Sequence, residues 1–66
     1  MSQLTQAEAT YQAVRHEAAQ LSAVRLAHRY RKLRRQTSAT LATTEQLVEL
    51  AALRHAMQAR GMTVPQ

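Results

Sequence analysis

Gln36-Thr37-Ser38-Ala39-Thr40-Leu41-Ala42-Thr43 is the stretch that decides how this chain folds. It is the only Ser/Thr-rich run between two segments with helical periodicity, so it reads as a loop. Residues 1–60 contain no Gly, Pro or Cys. The strongest helix breakers are therefore missing on both sides of that loop.

Upstream, Thr5-Gln6-Ala7-Glu8 has the pattern of a capping box: the Thr hydroxyl accepts a backbone N–H and the Glu reaches back. Helix-favouring Ala, Gln, Arg and Leu then run on, predicting a first helix over about 5–35. Downstream, Thr43-Thr44-Glu45-Gln46 is a second capping box, with Glu45 and Glu49 near the positive end of the helix dipole. The second helix is predicted over about 44–60, after a loop at 36–43 and before a tail at 61–66. Gly61 suits the left-handed position past a helix end, with Met62 meeting Met57 in a Schellman motif, and Pro65 forbids continuation.

At about 100° per residue, Leu4, Ala7, Tyr11, Val14, Ala18 and Leu21 form an a/d-like seam. Continued, that seam would reach Arg25 and His28. The apolar residues shift sideways instead, to Leu26, Tyr30 and Leu33, and Arg25, Arg29 and Lys32 take over the original face. The second helix offers Leu47, Leu50, Leu53 and Met57, flanked by Ala51.

The expected architecture is all-α: a single small helical domain over 1–66, an antiparallel two-helix hairpin. The shorter helix would pack on Leu21, Leu26, Tyr30 and Leu33 and leave Leu4, Ala7, Tyr11 and Val14 without cover. An uncovered seam marks an interface, giving a homodimeric four-helix bundle or docking on a partner. The change of face near Val24 leaves a second arrangement open, a kink or break that divides the long helix and gives three helices.

A 66-residue chain without cysteine has neither disulfides nor thiolate metal sites to support a small core. Association is the remaining remedy. The absence of cysteine, of an apolar N-terminal run and of a membrane-length apolar segment fits a cytoplasmic protein. A membrane-surface role is disfavoured because Trp and Phe are absent.

Catalysis finds no support. Glu8, Glu17, Glu45 and Glu49 are the only carboxylates, and Glu8 and Glu45 are accounted for at helix starts. Nothing activates Ser22 as a nucleophile. There is no Gly-rich phosphate loop, and a hairpin offers little concavity for a small-molecule substrate. His16 and His28 lie on different faces and have no ligand-forming neighbours at helical spacing, so no metal or other cofactor is expected.

The net charge of +5 favours anionic partners. Its centre is Arg25-Leu26-Ala27-His28-Arg29-Tyr30-Arg31-Lys32-Leu33-Arg34-Arg35. Arg25, Arg29, Lys32 and Arg35 are the candidate phosphate contacts. Arg31, Arg34 and Arg35 would also lie near Glu45 and Glu49 in the hairpin and pair with them, which explains part of the charge structurally.

Two functions follow. The first is a non-enzymatic interaction protein of the adaptor, regulator or co-chaperone type, gripping a protein partner or a second copy through the apolar seam. The second is a nucleic-acid-binding regulator that uses the basic stripe.

Overall fold

A computed structural model describes residues 5–65. The described residues form three helices: α1 (Gln6–Ala19), α2 (Ala23–Ala39) and α3 (Thr44–Ala59). The chain is all-helical, but the long first helix of the expected hairpin is divided. Ser22 causes the division. Its backbone is extended at φ −66°, ψ 161°, and its Oγ accepts from the Arg25 N–H at 3.2 Å. It caps a new helix without help from Gly or Pro.

The other helix ends follow local chemistry. Thr5 Oγ1 accepts from the Glu8 N–H at 3.1 Å and caps α1. Both arms of the Thr43–Gln46 capping box are formed, at 3.0 and 3.1 Å. After α3, the Met62 N–H donates to the Met57 carbonyl and the Gly61 N–H to the Gln58 carbonyl. This is a Schellman closure, with Gly61 at φ +72°.

The end of the expected first helix needs correction. Helix continues past Arg35 to Ala39, so the connection to α3 shrinks to residues 40–43. Thr37 Oγ1 donates to the Arg34 carbonyl and Thr40 Oγ1 to the Gln36 carbonyl. Turned back onto the helix in this way, the hydroxyls do not serve as caps for a new one.

The break at Gln20–Ser22 lets α1 fold back onto α3. The two helices run parallel. Gln6, Ala7 and Thr10 share a cleft with Thr43, Thr44 and Val48 at one end, and Arg60 reaches the carbonyls of Ala18 and Leu21 at the other. α2 returns alongside α3 in the opposite sense. Both α1 and α2 pack on α3 and barely touch each other. The order across the molecule is thus α1–α3–α2, in a slab of 38 × 28 × 14 Å.

The core consists of Val14 and Ala18 from α1, Leu26, Tyr30 and Leu33 from α2, and Ala52, Leu53, Ala56 and Met57 from α3. Ala18 is fully enclosed, as are Ala52 and Leu53. Small residues at such a contact let helix axes approach closely. Met62 and Val64 fold back against this core from the tail.

Candidate nucleic-acid interface

Among the described residues, most of the expected seam is covered by the chain itself. Val14 and Ala18 are buried inside the chain's own core, and Tyr11 and Leu21 are half-buried against it. Ala7 is exposed, and Leu4 lies outside the described residues. The reason is the helix break: a continuous first helix would carry residues 6–19 away from α3, whereas the divided one lays them along it.

Tyr11 is also fixed by polar contacts. Arg15 Nη1 donates to its oxygen at 3.0 Å. Its hydroxyl and His55 Nδ1 share a hydrogen bond of 2.8 Å, with the rings edge to face. The arginine lies 5.9 Å from the ring centroid. A half-buried hydroxyl bound on both sides belongs to the α1–α3 contact.

Charge is segregated by helix. α2 carries Arg25, Arg29, Arg31, Lys32, Arg34 and Arg35 and no carboxylate. The four Glu all lie in α1 and α3. Arg29 leaves the candidate set, because it spans all three helices. Its Nη1 donates to Glu17 Oε1 of α1 at 3.0 Å and its Nη2 to Glu49 Oε1 of α3 at 3.2 Å. Partial burial pulls its pKa down, but the bonds to the two carboxylates outweigh that and hold it above the usual arginine value.

The expected pairing of Arg31, Arg34 and Arg35 with Glu45 and Glu49 is also corrected. Glu49 is taken by Arg29. Among the described residues, the two ion pairs of Arg29 are the only ones. Arg25, Arg31, Lys32, Arg34 and Arg35 are all exposed. Arg31, Arg34 and Arg35 gather around a shallow groove with Tyr30 and Pro65. Arg34 and Arg35 also border an adjoining depression with Ser38 and Ala39. Arg31 and Arg34, expected to pair with Glu45 and Glu49, thus make no ion pair among the described residues. The available signal was the lack of any acid between Glu17 and Glu45.

Arg60 takes a role that sequence reasoning missed. It donates to the Leu21 carbonyl at 2.7 Å and the Ala18 carbonyl at 3.4 Å, placing a cation on the negative end of α1.

Among the described residues no cluster of three His, Asp or Glu side chains is placed to hold a metal ion. None of the described helices is long and apolar enough to cross a membrane. Comparison of the chain with protein-family models, curated proteins and solved structures finds no match.

Proposed function

We propose that this chain is a non-enzymatic nucleic-acid-binding protein that holds phosphates on the exposed faces of α2. The observation that carries the reading is the charge segregation: six cations and no carboxylate on one helix, with Arg29 alone neutralised. A basic helical surface without internal counter-charges attracts phosphate and releases its counterions. The apolar seam no longer argues for a protein partner, since Val14 and Ala18 are occupied within the chain.

The test is fluorescence anisotropy with labelled mixed-sequence DNA and RNA at roughly 50 and 300 mM salt. Binding is expected at the lower salt and its loss at the higher. Arg31→Glu with Arg35→Glu should remove it while the helical circular dichroism is retained. Failure to bind any probe at low salt would refute the reading. Arg25→Glu with Arg29→Glu is the poorer test, because Arg29 also ties the helices together.

A second reading, an interaction protein that self-associates or binds another chain, is favoured by Val24, Leu41 and Leu47, which are 79%, 97% and 53% exposed. It is distinguished by mass in solution without nucleic acid. A dimer that Leu41→Ser with Leu47→Ser dissociates supports it, and a monomer counts against self-association.

A further inference from the structure

The distribution of charge around α2 narrows the kind of nucleic acid. Leu26, Tyr30 and Leu33 are buried and define the inward direction of the helix. At about 100° per residue, Arg25 and Lys32 lie about 110–130° to one side of it. Arg34 and Arg31 lie about 70–130° to the other side, and Arg35 and His28 point nearly opposite the core. The exposed cations therefore occupy both flanks of the helix as well as its crest.

A single strand presents one line of phosphates, so one flank would suffice to follow it. Opposed flanks match a groove with a phosphate wall on each side. α2 is sterically suited to such a groove. It is an outer helix of a thin slab, touching α3, bordered by the tail at Pro65, and barely meeting α1. An α-helix about 10–12 Å across fits a B-form major groove about 12 Å wide. The major groove of an A-form RNA duplex is too deep and narrow to admit side chains in this way.

Binding of single strands commonly uses aromatic platforms on which successive bases stack. The chain has two Tyr and no Trp or Phe. Tyr30 is 1% exposed, and Tyr11 is held by His55 and Arg15. His28 is the one exposed ring on α2, and a single imidazole cannot stack a run of bases.

We infer that the partner is B-form duplex DNA, with α2 in its major groove, Arg25 and Lys32 against the phosphates of one strand and Arg31 and Arg34 against those of the other. This rests on the nucleic-acid reading above. Arg35 and His28 then face the floor of the groove, where base edges are exposed.

The experiment is a titration of the full chain against four labelled probes of one sequence: duplex DNA, duplex RNA, single-stranded DNA and single-stranded RNA. Duplex DNA is expected to bind at least about tenfold more tightly than the other three, with a slope of log affinity against log salt of about −3.6 for four phosphates. Arg25→Glu with Lys32→Glu, and Arg31→Glu with Arg34→Glu, should each weaken duplex binding by at least about tenfold. The salt slope of the unmodified chain keeps the inference testable if a variant unfolds.

Equal or tighter binding of either single strand or of duplex RNA would overturn the groove assignment while leaving the nucleic-acid reading intact. Sensitivity to only one of the two pairs would overturn the two-wall geometry. Binding to none of the probes would remove both.

Discussion

Neutralising Arg29 tests whether one side chain joins helices that hardly meet. α1 and α2 have few direct contacts, yet Arg29 of α2 reaches Glu17 of α1 and Glu49 of α3. Glu17 is well exposed, which limits the strength of that pair. Arg29→Gln should cost about 1 kcal/mol in all, read from urea unfolding, and the difference from the unmodified chain should shrink in high salt. The pH sign follows from the raised guanidinium pKa. The arginine's share of the stabilisation is fully present below its unfolded-state pKa and is lost only as strong alkali is approached. Of the four cations expected at the site, Arg25, Lys32 and Arg35 are exposed and Arg29 is not free. The basic cluster was legible as a run of residues. Its division between structure and surface depends on where Glu17 and Glu49 arrive in space, which helical spacing on one segment does not reveal.

At the scale of the element, helix ends governed by complete local signals were readable outright, whereas the break at Ser22 was readable only as an open alternative, from the change of apolar face near Val24. Thr43 and Gln46 form both arms of a box, and Gly61 has the backbone freedom a Schellman closure demands. Ser22 supplies only half of such a signal, because the residue three positions on is Arg25, which cannot return the bond. It is nevertheless the one Ser or Thr between Thr10 and Thr37 and sits where the apolar face shifts. Thr37 and Thr40 misled in the other direction, since their hydroxyls turn back onto carbonyls of α2 and do not cap a new helix. Ser22→Ala should cost about 1 kcal/mol, seen as a lower urea midpoint, whereas exposed Ser38→Ala should leave the midpoint nearly unchanged. Gly61→Ala meets no neighbouring atom within 4 Å. It should still cost about 1–2 kcal/mol through its left-handed backbone alone, measured in the same way.

At the scale of the molecule, stability is spread thinly. The radius of gyration is 12.1 Å, above the roughly 11 Å of a compact chain of this length. A chain this size typically has about 3–10 kcal/mol in hand. Leu53 is fully enclosed where the three helices share their core. Leu53→Ala should cost about 2–5 kcal/mol, enough to remove most of the margin. The expected result is a large loss of helical circular dichroism at physiological temperature. The all-helical class was legible from composition and caps. The parallel pairing of α1 with α3 was not, because it follows from the turn at Gln20–Ser22 and not from any periodicity.

That pairing has a consequence for the order in which the chain can gain structure. α1 and α2 follow one another directly yet have almost nothing to bury against each other. Both wait for α3, which joins Tyr11 to His55 across 44 positions and Arg60 to Ala18 across 42. A helical protein usually gathers its contacts from near neighbours and folds quickly for that reason. Here α2 and α3 can pair across their short connection, but α1 must close a long loop to reach α3, so the first helix to emerge gains lasting form only when the third is complete.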